Sequence, residues 1–319
     1  MQQYIIRRVL LAVPTIIGIT ILIFLVLRVL PGDPLEQVFS EEQGLYVLTD
    51  TELKFARATL GLDKPLYLQY LIWTGEVLRG EFGTSFWTDD PIGNLIKRRA
   101  PITLEIAFVA IVLSWLVGIP VGIVGAVWRN TAADYSSRFF VTMFLAIPSF
   151  WLGMMFILMS VLYFSWKPPI IIIQFWEDPL QNLTIVAGPA ITIGLGMAAF
   201  TARMARSSML EVYREDYVRT ARAKGASEKQ ITLRHVLKNA MLPVITVTGL
   251  QLAGLLGGSV AVERAFAVPG LGLALTQGIA DRDWNIIQAL VFLYAVVFVF
   301  VNLIVDVSYA WVDPRIRYK

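Results

Sequence analysis

Cysteine is absent from this 319-residue chain, and histidine occurs once, as His235. The first absence removes disulfide frameworks, thiolate metal sites, iron–sulfur clusters and cysteine nucleophiles together. The second leaves a histidine-ligated zinc site or a histidine-dependent triad almost no material. No Gly-Lys pair exists, which excludes a Walker A phosphate loop, because that loop needs glycine directly before lysine. Gly-x-Ser-x-Gly and His-Glu-x-x-His are missing as well. Charge is scarce: 16% of residues are charged and 56% hydrophobic, where a soluble domain carries about 25% and about 45–50%. A mean hydropathy of +0.65 excludes both an ordinary cytosolic enzyme and a disordered chain. The net charge of +3 is small for a nucleic-acid binder. No metal, cofactor, catalytic residue or nucleic-acid partner is expected.

What is present is clumped. Six stretches contain no Asp, Glu, Lys or Arg: Val9–Leu27, Ile106–Trp128, Phe139–Trp166, Pro179–Ala202, Asn239–Val262 and Trp284–Val305. A hydrocarbon core of about 30 Å needs about 20 helical residues, and all six stretches suffice. Soluble helices alternate apolar and polar faces; these do not. The expected fold class is therefore all-α, a polytopic membrane protein with six transmembrane helices. Two shorter apolar runs differ. Ile170–Ile173 is too short to cross, and Ala265–Ala280 is broken by Pro269, Gly270 and Gly272. Such backbone is tolerated at membrane depth only where protein or water satisfies it, so the second run reads as re-entrant or interfacial.

Orientation follows from the basic residues of short loops. Arg7 and Arg8, then Arg129 and Arg138, then nine Arg and Lys from Arg203 to Lys238, then Arg315, Arg317 and Lys319 all fall on one side of a six-span chain. That side is expected to be cytoplasmic, with both termini. Lys97, Arg98 and Arg99 fall outside, in a segment where eleven acids outnumber seven bases over residues 31–100; long outer segments are largely exempt from the rule. The first span lacks a small-x-small cleavage site before Leu30-Pro31-Gly32-Asp33 and reads as an uncleaved anchor. The expected division is an N-terminal helix at 1–30, an external region at 31–94, a transmembrane core at 95–306 and a cytoplasmic tail at 307–319.

In the external region Thr51–Leu60 and Leu66–Leu78 read as short helices between Gly61, Pro65 and Gly80. Its aromatics, among them Tyr67, Tyr70 and Trp73, suit a membrane–water interface. A packed cap and a docking or gating element both remain open. On the inner side, Tyr217–Lys224 has helical composition and ends in cations. Gly225 supplies a left-handed closing residue, and Ser227 with Gln230 forms a capping-box pattern. The segment spells helix, tight turn, helix.

Glu105 and Asp306 lie near span edges, where an intramembrane carboxylate is a functional candidate. The fifth span carries Gly249, Ala253, Gly254, Gly257, Gly258 and Ser259, a pattern that lets helices approach closely. A secondary transporter driven by an ion gradient through Asp306 or Glu105 is one alternative, although the chain lacks a convincing internal repeat. An intramembrane hydrolase would need paired catalytic groups at depth, and none is visible.

The stretch from Asp216 through Tyr217, Arg219, Ala221, Lys224, Gly225 and Ala226 to Ser227 resembles the cytoplasmic "EAA" loop of ABC importer permeases, most closely the dipeptide/oligopeptide/nickel class. Arg219 and Thr220 stand at its first two positions, Ala221, Gly225 and Leu237 match, and Lys238 replaces a proline. Further blocks resemble the first, B-type, permease of these systems. They are Leu30-Pro31-Gly32-Asp33-Pro34, Leu60 to Leu66, Gly83-Thr84-Ser85, the run Glu263-x-x-Phe266-x-x-Pro269-Gly270-Leu271-Gly272, and Asn302 to Ile316. Trp284-Asn285 departs from the Tyr-Pro common there, which leaves the local conformation open. The resemblance implies a type I ABC-importer permease fold in a bacterial or archaeal cytoplasmic membrane. It also implies a heterodimer with a second homologous permease, two ABC ATPase subunits beneath it, and an external solute-binding protein. The loop at 203–238 would be the ATPase-coupling segment. Glu105, Glu263, Pro269, Gly270 and Asp306 are pore-lining or structural candidates. Peptides, nickel chelates, glutathione and some sugars share this architecture, and the spans do not choose among them.

Overall fold

The computed structural model describes residues 2–29 and 63–312. The expected helix at Thr51–Leu60 and the blocks at 30–62 and 313–316 lie outside the described residues. Helices make up nearly all the regular structure: α1 Gln2–Val29, α2 Leu66–Leu78, α3 Ile92–Val127, α4 Ala132–Ala146, α5 Ser149–Phe164, α6 Pro179–Val212, α7 Asp216–Ala223, α8 Glu228–Gln230, a π-helical turn Ile231–Val236, α9 Leu237–Phe266, α10 Leu271–Ala280 and α11 Trp284–Val312. Among the described residues the one β pairing is an isolated bridge between Thr84 and Pro91.

Four helices are long and apolar enough to cross a membrane unaided: α1, α3, α6 and α11. The third expected span is instead a pair, α4 and α5, bent by 100°. Pro148 is the cause. It cannot donate into the preceding turn and disfavours helical backbone at Ile147, which is extended at φ −86°, ψ 123°. Hydropathy windows count charge, and proline does not register in them.

Directions within the bundle fix the number of crossings. Ala126 near the end of α3 and Met209 near the end of α6 share one apolar cluster with Val218, Ile231, Val236 and Ala240. At the other end Glu105 of α3 bonds Asn182 of α6. The two helices are thus parallel, and α4–α5 must carry the chain back between them. By the same reasoning α9 leaves the α7 end at Ala240, and its Phe266 packs on Ile102 and Ile106 near the start of α3. Trp284 opens α11 beside Ile23 and Leu27 of α1, whereas Phe298 and Asn302 line one recess with Arg8 and Leu11. Six crossings result, and the start of α1 and the later part of α11 share the side that carries α7 and α8.

The tightest packing is between α3 and α6. A Cβ on Gly122 would sit 2.7 Å from both the Ala202 carbonyl oxygen and Ala205 Cβ, and one on Gly118 would sit 2.9 Å from Thr201 Cβ. Small residues one turn apart let two backbones approach closely. The fifth-span glycines behave differently. Gly249 packs against Val305, but Gly254, Gly257 and Gly258 have no atom within 4 Å of a Cβ built on them.

Candidate functional site

At the α7 end, α6 runs into a short turn and α7 begins at Asp216, whose carboxylate suits the positive helix start. Val218 is fully buried against Met209, Ile231 and Val236, which fixes α7 to the ends of α3, α6 and α9. Ala221 and Ala226 pack on the same cluster. Gly225 has φ +83°. Its N–H donates to the Arg222 carbonyl at 3.0 Å, and the Ala226 N–H to the Ala221 carbonyl at 3.2 Å. These two bonds constitute a Schellman closure with its apolar contact. Ser227 Oγ accepts the Gln230 N–H and Gln230 Oε1 accepts the Ser227 N–H, completing the capping box. Helix, turn and helix stand where the sequence reading put them.

The opposite face of this segment is exposed and basic. Tyr217, Arg219, Lys224 and Gly225 are exposed, and the Tyr217 hydroxyl accepts a bond from Asn239 Nδ2 at 2.8 Å. Arg219 reaches Asp216 only at 3.4 Å. Arg222 forks onto Glu228 at 2.6 and 3.1 Å across the glycine turn. That guanidinium holds the Glu228 carboxyl below the usual carboxylate range.

The Glu263 block lies at the other end. α9 stops at Ala267 in the left-handed region, and Val268, Pro269 and Gly270 are buried. Glu263 is fully buried. Its carboxylate accepts the N–H of Gly272 at 2.7 Å and of Leu273 at 3.3 Å, and the Ser259 hydroxyl at 3.2 Å. The Leu271 N–H goes to Thr103 Oγ1 at 2.9 Å. The first amides of any helix lack intrahelical acceptors; here side chains of α9 and α3 supply them for α10. A Cβ on Gly270 would collide with Glu263 Oε2. Phe266, 1% exposed, fills space above Gly153 and Gly188, where a Cβ would meet its ring at 2.8 and 2.6 Å. The run expected to be re-entrant or interfacial is thus a short apolar helix pinned at its start.

Glu105 is half-buried and accepts Asn182 Nδ2 at 2.7 Å. The pair lines an apolar recess of about 620 Å³ with Phe108, Trp176 and Leu180. Asp306 lies on α11, and its side chain is not among those described. The structure therefore brings the residues expected to couple together at one end, sets Glu263, Pro269 and Gly270 together at the other, and leaves Glu105 outside both groups. Among the described residues no group of three or more acidic or histidine side chains could hold a metal.

Two constellations went unseen in the sequence. Asp283, 1% exposed, accepts the Ser85 hydroxyl at 2.6 Å and the Phe86 N–H at 3.0 Å. Asn285 Nδ2 donates to the Thr84 carbonyl at 2.9 Å. The departure at Trp284-Asn285 therefore starts α11 and also ties down the Gly83-Thr84-Ser85 block. The other is Asp134, buried between Arg138 and Arg206. Sequence separations of 198 and 72 residues hide both contacts.

Six crossings, a short apolar helix pinned at its start and a shaped helix–turn–helix on the side shared by the start of α1 define a polytopic helical membrane protein with the layout expected of an ABC-importer permease. Residues 118–318 match the family described as binding-protein-dependent transport system inner membrane component, and residues 1–107 match the one described as the N-terminal part of the binding-protein-dependent transport system membrane component. The chain belongs to this family. It is 38% identical over 319 residues to the glutathione transport system permease protein GsiC of Escherichia coli strain K12, covering 100% of both chains. The GsiC of Salmonella typhi matches at the same identity and coverage. Among solved structures, the MetNI methionine ABC transporter in inward-facing conformations aligns at TM-score 0.59 and 21% identity, over 70% of this chain and 99% of that one. An amino acid ABC transporter aligns at TM-score 0.54 and 13% identity, over 68% and 94%. The protein is a multi-pass permease subunit of an ABC importer in the inner membrane. Its relatives are transport permeases.

Proposed function

We propose that this permease forms half of a two-permease pore for peptides or peptide-like solutes, with glutathione as the first candidate. One of the two ATPase subunits docks on the Asp216–Ala226 segment, the other on the second permease, and an external binding protein delivers substrate at the α10 end. The observation that carries the reading is the coupling segment. Its apolar face is bolted to the ends of α3, α6 and α9, while its basic face is open to a partner. A docking partner that moved this segment would move three spans with it. The open face of α9 at Gly254, Gly257 and Gly258 gives a second permease a place for close helix approach. The substrate class is supported by 38% identity over the full length to a glutathione permease.

The test uses cells without other glutathione uptake that express the importer with its partner subunits and binding protein. Labelled glutathione should enter, uptake should stop on ATP depletion, and it should survive collapse of the ion gradient. Gly225→Asp should abolish uptake with the permease still inserted. Nothing lies within 4 Å of a Cβ at 225, and aspartate tolerates left-handed backbone better than most residues. The loss would therefore report docking rather than misfolding. Uptake that persisted without ATP, or full transport by Gly225→Asp, would overturn the coupling role. Failure with glutathione but success with a dipeptide would move the substrate within the class.

A further inference from the structure

The clamp around Asp134 lies outside the coupling segment, yet it holds the helix from which that segment hangs. Asp134 is fully buried. Its Oδ1 accepts Arg138 Nε at 3.1 Å and Arg206 Nε at 2.8 Å. Its Oδ2 accepts Arg206 Nη2 at 3.1 Å, the Asn130 N–H at 2.9 Å, and Arg138 Nη2. One carboxylate thus ties together the α3–α4 turn, the first turns of α4 and the last turns of α6. Three residues beyond Arg206, Met209 enters the cluster that seats α7. The adjoining surfaces leave no slack. Ser137 Oγ donates to the Val121 carbonyl at 3.0 Å, and a Cβ on Gly125 would sit 2.8 Å from Ser137 Oγ and 3.0 Å from Arg206 Cδ.

We infer that Asp134 is a positioning residue for coupling: it makes the α4 hairpin and the α6 stem one body, so that displacement of α7 is delivered to the bent α4–α5 pair. The inference rests on the proposed docking of ATPase subunits at α7. Forked guanidinium–carboxylate bonds are directional, so this joint resists rotation as well as separation. Without the carboxylate, the Arg138 and Arg206 guanidinium groups lose their shared partner and α4 is free to pivot on α6. Packed interfaces of this kind pass on motion as rigid-body shifts rather than by continuous deformation.

The absence of cysteine permits single-site spin labels in this chain. The assembled importer in lipid vesicles would carry labels at Ser136 on α4 and Arg214 beyond α6, both exposed, nucleotide-free and trapped with ATP and vanadate. In the parent the label distance should be the same in both states. In Asp134→Asn it should shift or broaden on trapping, with ATPase subunits still bound and ATP hydrolysis kept. Parent labels that move apart on trapping, or an Asp134→Asn distribution identical to the parent's, would sink the assignment. If Asp134→Asn does not assemble, Arg206→Lys keeps the charge and loses the fork, and an unchanged distance there overturns the inference equally. Gly225→Asp separates the two readings. If it keeps its ATPase subunits and transports, the docking reading falls; if it loses them while Asp134→Asn matches the parent, only the role of Asp134 falls.

Discussion

The first turn of α10 presents amides that no carbonyl of its own helix can reach, and Glu263 accepts two of them from a different helix. A carboxylate offers acceptors only, whereas the amide of Gln offers one acceptor and a competing donor group. Both backbone amides go to the one oxygen Oε2, which Gln can still supply, so Glu263→Ala is the substitution that should leave two buried N–H groups unpaired. Hydrogen bonds to charged groups contribute about 1.5–3 kcal/mol each, so a marked fall in the thermal midpoint of the purified importer is expected. An unchanged midpoint would show that α10 holds its place without this cap. Glu228→Gln is the contrasting case. Its partner Arg222 is exposed, and pairs of that kind contribute little and are screened by salt. The Glu228 carboxyl is depressed in the folded chain. Its small contribution is thus present above the ordinary carboxylate range and is lost as pH falls through the depressed value. Both acids stood in the sequence, and Glu263 could be singled out from its block. That it caps a helix could not be read there, because its partners Gly272 and Leu273 acquire free amides only once Pro269 and Gly270 have broken the chain.

At the scale of elements, glycine decides how closely helices approach, and the same substitution should have opposite signs at two sites. Gly75 sits inside α2 with nothing within 4 Å of a Cβ. Alanine there should stabilise by about 0.5–1 kcal/mol, because it lowers the backbone entropy lost on folding. Gly122 sits against the backbone of α6. Alanine there overpacks the joint and should cost about 1–3 kcal/mol. Thermal midpoints of Gly75→Ala and Gly122→Ala complexes should move in opposite directions; a shared direction would mean that α3 and α6 are not in close backbone contact. The legible elements are those set by local chemistry. The span Leu66–Leu78, the left-handed Gly225 and the Ser227–Gln230 box all appear in the structure as the sequence spells them, since each depends on residues within a few positions. What escaped depends on tertiary context. α3 begins at Ile92 and passes through Lys97–Arg99, ahead of the uncharged stretch and of the expected core boundary at 95. Charge marks the edge of hydrocarbon, not the end of a helix. The α4–α5 bend was visible only as a proline in an apolar run.

For the whole molecule, directions inside the bundle establish which parts share a side, while the sign of that side comes from charge. Thirteen described residues among the chain's 27 Lys and Arg lie on the side of α7 and α8, and lysine and arginine in short loops are retained on the cytoplasmic face during insertion. The cluster Lys97–Arg99 argues the other way, but it lies within a helix and follows seven acids between Asp50 and Asp90, so it is not a short basic loop. The two signals make one joint prediction that a chain without cysteine tests cleanly. Lys224→Cys, on the exposed face of the turn, should react with a membrane-impermeant thiol reagent only in inside-out vesicles. Thr88→Cys, exposed in the segment held by Asp283, should react only in intact cells or right-side-out vesicles. The reverse pattern would turn the molecule over and place the basic face of α7, proposed to couple, where no ATP is available. Labelling of both sites from one side would mean that an odd number of crossings separates α2 from α7 no longer holds, and with it the return of the chain through the bent α4–α5 pair.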